Sequence, residues 1–98
     1  MLNITKITNN DTTTIALEGR LDSTTSPMLE KELSLLDTES SVLFDLERLV
    51  YISSAGLRVF LSVQKRMKGQ GSMKLLHPQD DVMEILEVTG FVDILDIE

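Results

Sequence analysis

Apolar and polar positions change their spacing several times along the chain, and each change predicts an element. Leu2-Asn3-Ile4-Thr5-Lys6-Ile7 partly alternates, as a strand with one wet face does. Asn9-Asn10-Asp11 has turn composition, and Thr13 to Gly19 alternates again, so the two segments predict a β-hairpin. After Leu21-Asp22 a hydroxyl cluster, Ser23 to Ser26, precedes Pro27, the layout of a helix start. Met28, Leu29, Leu33, Leu35 and Leu36 continue at helical spacing, with Leu29, Leu33 and Leu36 on one face. Asp37 to Ser41 breaks the pattern. Val42-Leu43-Phe44-Asp45-Leu46 is a short apolar run that predicts a central strand buried on both faces.

A second helix is predicted from about Ser54 to Lys68, with Gly69-Gln70-Gly71 as its stop. At ~100° per residue, Val59, Phe60, Val63 and Met67 share the side that should meet the sheet. Ser54, Arg58, Leu61 and Lys65 form a separate i, i+4, i+7, i+11 row, with one apolar residue between two cations. Such a row can be an ordinary solvated face or a face offered to a partner. Met73 to Leu76 predicts another strand, and Pro78-Gln79-Asp80-Asp81 opens a third helix with Val82, Ile85 and Leu86 inward. Gly90 ends that helix, and Phe91 to Ile97 is expected to be a final strand. Strands alternating with helices imply parallel neighbours joined by right-handed crossovers, and the initial hairpin makes the sheet mixed. Gly19 is expected to relieve the backbone at a strand end.

At 98 residues the chain is expected to be one domain, 1–98, with one modest core and little room for a deep cleft. Aromatic residues make up only 4% of it, so Leu, Ile, Val and Met must build that core. There is no cysteine, which excludes disulfides and thiolate chemistry and fits a reducing cytoplasm. The net charge of −7 argues against a nucleic-acid partner, because a duplex binder needs a basic surface to release counterions. The first residues lack a signal-peptide layout, and the apolar runs fall far short of the ~20 residues that span a bilayer. No membrane insertion is expected.

Chemistry concentrates at Tyr51-Ile52-Ser53-Ser54-Ala55-Gly56-Leu57, where two hydroxyls stand at the start of the second helix. Free backbone N–H groups and a partial positive charge collect at that end. A serine there can cap the helix or carry a phosphate that the helix end tolerates. Elsewhere the residues point away from catalysis. His77 is the single histidine and precedes Pro78 in a predicted loop. Asp80-Asp81 suits a helix start rather than a metal. Asp45 at a strand end resembles the phosphate-accepting aspartate of receiver domains, but the early acidic pair is missing; it is expected to hydrogen-bond loop amides before the second helix. No catalytic residue, metal site or cofactor is expected, and the protein is not read as an enzyme.

The run Asp45-Leu46 through Ser53-Ser54-Ala55-Gly56-Leu57 and on to Phe60 resembles the signature of anti-sigma factor antagonists, the STAS-domain family. The resemblance covers nearly the whole chain. It implies a single α/β domain of order β-β-α-β-α-β-α-β, a mixed sheet with helices packed on it. It also implies that Ser54, two positions before Gly56, is phosphorylated by a partner kinase. Ser53 stands where the family's regulatory members usually have Asp, and Ala55 replaces a second hydroxyl. The C-terminal helix that relatives often add is not expected here. By the same resemblance the partner-binding residues are Ser53, Ser54, Ala55, Gly56, Arg58, Leu61 and Lys65. The implied partners are an anti-sigma factor with a histidine-kinase-like ATPase fold, acting as a serine kinase, and a serine phosphatase. Binding would release a sigma factor, and phosphorylation would switch binding off. STAS domains also serve as separate subunits of transporters and in stress-sensing complexes, which is the alternative expectation.

Overall fold

The computed structural model describes residues 1–35, 41–67 and 72–98. Strands β1 (Leu2–Asn9) and β2 (Thr12–Leu21) form the expected hairpin, antiparallel from Leu2 opposite Gly19 to Asn9 opposite Thr12. Asn10 turns the chain at φ 56°, a left-handed conformation that asparagine tolerates. Helix α1 (Ser26–Leu33) leads to β3 (Ser41–Ile52), α2 (Ser54–Met67) to β4 (Met73–Leu76), and α3 (Asp80–Val88) follows. β3 pairs parallel with both β2 and β4, so the spatial order of the strands equals their order in the sequence.

That order decides where the helices go. Successive right-handed crossovers that always step in the same direction place their helices on the same face of the sheet. The burial pattern agrees. Ile15 and Leu17 of β2, Val42, Phe44 and Leu46 of β3, and Met73 and Leu75 of β4 are buried. They join Leu29 and Leu33 of α1, Phe60, Val63 and Met67 of α2, and Val82 and Leu86 of α3 in one core. The rings of Phe44 and Phe60 lock strand to helix with centroids 4.9 Å apart. Thr14, Ala16, Leu43 and Asp45, which alternate with these positions, are only half-buried on the opposite, uncovered face. The expectation that β3 is buried on both faces is therefore corrected: only its helix-facing side is enclosed.

β3 also runs well past Leu46. It has 12 residues, and two register shifts against β2 lie between Ala16 and Glu18 and between Gly19 and Arg20. Each inserts an extra β3 residue, so the strand bends and its alternation resets. Asp45 serves the first irregularity, its Oδ1 accepting the Glu47 N–H at 3.1 Å. The expected bond to loop amides before α2 is thus replaced by one inside the strand.

The final segment departs further. Phe91–Asp93 is a short 3-10 turn, with Ile94 N–H bonded to Phe91 C=O at 3.0 Å. Only Ile97 bridges β4, beside Leu75. Phe91-Val92-Asp93-Ile94-Leu95-Asp96-Ile97 has an apolar pair every third residue, which matches the three-residue turn of a 3-10 helix better than the two-residue repeat of a strand. The tail still holds the sheet edge: Leu75 N–H bonds Asp96 C=O and Glu98 N–H bonds Leu75 C=O, each at 2.9 Å. Lys74 Nζ meets Glu98 Oε2 at 2.7 Å. Gly90 ends α3 at φ 80°, as expected. Of the predicted break at 37–41 only Ser41 is described, and it opens β3 instead; 37–40, the predicted stop at 69–71, Leu36 and Lys68 lie outside the described residues.

Candidate functional site

Parallel strands β2 and β3 end side by side, and each feeds a helix. The carbonyl of Leu21, the last residue of β2, accepts the N–H of Ser53 at 2.9 Å. The N-terminal tips of α1 and α2 therefore stand next to each other at the carboxyl edge of the sheet, the edge where open α/β sheets form their crevices.

The two serines divide the work. Ser53 is half-buried; its Oγ accepts the Gly56 N–H at 3.4 Å, and its C=O accepts the Leu57 N–H at 3.0 Å. It is the cap of α2. Ser54 is the first residue of the helix and is exposed, and its hydroxyl bonds to no described residue. Gly56 is buried beneath them. A Cβ there would lie 2.7 Å from Leu21 Cγ and 2.9 Å from Ile52 Cγ1, so the missing side chain lets the helix tip rest on the ends of β2 and β3.

Downstream, Arg58 and Lys65 are exposed and Leu61 is half-buried, so the row Ser54, Arg58, Leu61, Lys65 does face outward. Ala55 is half-buried. Val59, Phe60, Val63 and Met67 are buried against the sheet as the periodicity requires. Arg58 and Ala55 line a groove of about 330 Å³ between α1 and α2, together with Ser26, Glu30 and Ser62.

The α1 tip contributes residues that motif spacing did not single out. The expected hydroxyl cap of α1 is not made, because Thr25 gives no side-chain capping bond. Asp22 organises the turn instead. Its Oδ1 accepts the Thr24 hydroxyl at 2.7 Å, the Thr24 N–H at 3.0 Å and the Thr25 N–H at 3.1 Å. The Thr24 hydroxyl first, then the Thr24 and Thr25 amides, hold the Asp22 carboxyl down at about 2 against the opposing effect of desolvation. Asp22-Ser23-Thr24-Thr25 is the composition of an Asx turn, and that signal was present in the sequence. Arg20 lies opposite Tyr51 in the β2–β3 register and stacks 4.3 Å above its ring, with its Nε 3.9 Å from Asp22 Oδ2. That pair follows from strand register across a bulge, which no short motif encodes.

His77 lies in the loop before α3, at φ 55°. Among the described residues no group of three or more His, Cys, Asp or Glu could hold a metal ion, and no helix is long and apolar enough to cross a membrane.

Residues 3–98 match the STAS domain. The chain belongs to that family. It is 42% identical to BtrV of Bordetella bronchiseptica, named as a candidate anti-sigma factor antagonist, over 83% of this chain and 72% of that one. It is 30% identical to the anti-sigma-B factor antagonist of Bacillus subtilis, over 98% of this chain and 90% of that one. The crystal structure of an anti-sigma factor antagonist from Mycobacterium paratuberculosis superposes with a TM-score of 0.89 at 13% identity, covering 99% of this chain and 85% of that one. This last likeness concerns the fold. The STAS architecture accounts for the single mixed sheet, the helices on one face and the paired helix tips described above.

Proposed function

We propose that this STAS domain is an anti-sigma factor antagonist whose docking is controlled by phosphorylation of Ser54. It binds an anti-sigma factor of the histidine-kinase-like ATPase type in the cytoplasm, and a sigma factor is released. That anti-sigma factor also acts as the serine kinase, and a serine phosphatase reverses the modification. The names of the Bordetella and Bacillus relatives support the antagonist role. The observation that carries the switch is the division of labour at α2: Ser53 caps the helix, and the adjacent Ser54 hydroxyl is exposed and bonds to no described residue.

The chemistry follows from charge. A phosphate adds about −1.5 to −2 charges at pH 7. On the protein itself the polarised tip of α2 and Arg58, one turn along, offset that charge, so the fold need not change. A partner seated on Ser53, Ser54, Ala55, Gly56, Arg58, Leu61 and Lys65 would instead have to bury a dianion, which costs several kcal/mol. A penalty of ~3 kcal/mol weakens binding more than a hundredfold.

The test mixes the purified protein with candidate anti-sigma kinases and ATP and maps phosphate by mass spectrometry. One phosphate is expected, at Ser54, and none in Ser54→Ala; Ser54→Asp should bind the anti-sigma factor far more weakly. No phosphate at Ser54, together with undiminished binding by Ser54→Asp, removes the switch and leaves an unphosphorylated STAS subunit.

A further inference from the structure

We infer that the outward face of α2 next to Ser54 fits an acidic partner surface carrying an apolar ridge. The inference deepens the proposal made above for Ser54 and rests on it.

Charge is sorted by element in this molecule. The chain carries −7, yet α2 contains Arg58, Lys65 and Arg66 and no acidic residue. Helix α3 is the reverse, with Asp80, Asp81, Glu84 and Glu87 and no basic residue. Arg66 is committed to the fold, since its Nη1 donates to the Leu33 carbonyl at 3.2 Å, at the end of α1. Arg58 and Lys65 are exposed, and among the described residues neither enters an ion pair. They flank Leu61 on the outward row.

The ridge stands between two grooves. Arg58 borders the one shared with α1. Lys65 and Leu61 border the other, of about 480 Å³, whose far wall is Ile94, 49% exposed. One carboxylate lies in each groove, Glu30 and Asp96, so the positive character belongs to the ridge itself. Two exposed cations about 10 Å apart along the axis, with an apolar strip between them, fit a partner that presents carboxylates on either side of an apolar residue. A second copy could offer the acidic row of α3, but it would bring two chains of −7 together. The acidic heterologous partner is therefore the occupant the charges favour.

Two helical peptides of ~20 residues test this by NMR titration of the 15N-labelled protein. Both carry the same leucine row; one is Glu-faced and the other Lys-faced. The Glu-faced peptide is expected to shift the amides of Arg58, Leu61, Lys65 and Ile94, and to bind about tenfold more weakly at ~300 mM than at ~50 mM salt. The double variant Arg58→Glu/Lys65→Glu, checked for an unchanged fold by circular dichroism, should lose those shifts, and Ser54→Asp should weaken them severalfold. The Lys-faced peptide should leave these amides alone. Absence of Glu-peptide binding, shifts elsewhere, or equal response to both peptides overturns the inference. A dimer at low salt, broken by substitutions in α3, also overturns it and makes the occupant a second copy. No kinase enters these measurements, so a failure to find phosphate at Ser54 leaves their outcome separate.

Discussion

Gly56→Ala adds one methyl group at the point where α2 rests on the sheet. On an exposed helix the change would be stabilising, because alanine is the better helix former by up to ~1 kcal/mol, and less near a helix end. Here the new Cβ would sit 2.7 Å from Leu21 Cγ, 2.9 Å from Leu21 Cδ2 and 2.9 Å from Ile52 Cγ1. Carbon atoms pack at about 3.5–4.0 Å, so roughly 1 Å must be found at three contacts. Leu21 and Ile52 are 0% and 1% exposed and cannot swing into solvent. Overpacking of this kind costs typically 1–3 kcal/mol. Against the gain in helix propensity, a net destabilisation of about 1–2 kcal/mol is expected. In urea denaturation that is a fall in midpoint of about 1 M at unchanged slope, and in a thermal melt a drop of roughly 5–12 °C. Leu21→Ala should lower stability by itself through its cavity, but the double variant should be less unstable than the sum by about 1 kcal/mol or more, since each change relieves the other. If Gly56→Ala melts at or above the parent temperature, or if the two changes simply add, the close seating of the helix tip is not what glycine provides.

Two further outcomes follow from the same tips. Ser53→Ala removes the cap of α2 and should lower stability by about 0.5–1 kcal/mol, the lower end for a capping bond as long as 3.4 Å, measured by urea denaturation, while Ser54→Ala should change it by less. Asp22 should titrate near 2 instead of at the ordinary 3.8 of an aspartate, read from its side-chain carboxyl carbon shift against pH. Because the folded value is the depressed one, the stability that Asp22 contributes is fully present above about pH 4 and is lost as pH falls through about 2. A midpoint near 4 would mean that the Thr24 and Thr25 bonds are not held in solution.

How much of this was legible depended on whether a segment keeps one period. α2 keeps one from Ser54 to Met67, so Val59, Phe60, Val63 and Met67 were readable as its sheet-facing side, although buried Leu57 was not named and Leu61 of the outward row is half-buried. β3 does not: after Leu46 two inserted residues shift the register, and Glu47-Arg48-Leu49-Val50-Tyr51 looks like a loop because the alternation restarts twice. Reading β3 too short hid the register that stacks Arg20 on Tyr51, and it sent the Asp45 side chain to the wrong amide. Phe91 to Ile97 misled in the opposite way. Its apolar density suggested a strand, whereas its three-residue repeat gives a 3-10 turn and a single bridge. At the site the motif located the paired hydroxyls. Which one caps the helix depended on where α2 begins to a single residue, finer than pattern reading resolves.

The hydrogen bond from Ser53 to Leu21, with Gly56 seated over Leu21 and Ile52, fastens the serine pair to two strand ends at once. Any enzyme that modifies Ser54 must accept this rigid corner whole, because it cannot draw out a few residues as extended chain without breaking the core beneath. Such an enzyme would have to recognise the folded shape, and a short peptide copied from Tyr51 to Arg58 would carry the letters of the motif without its address.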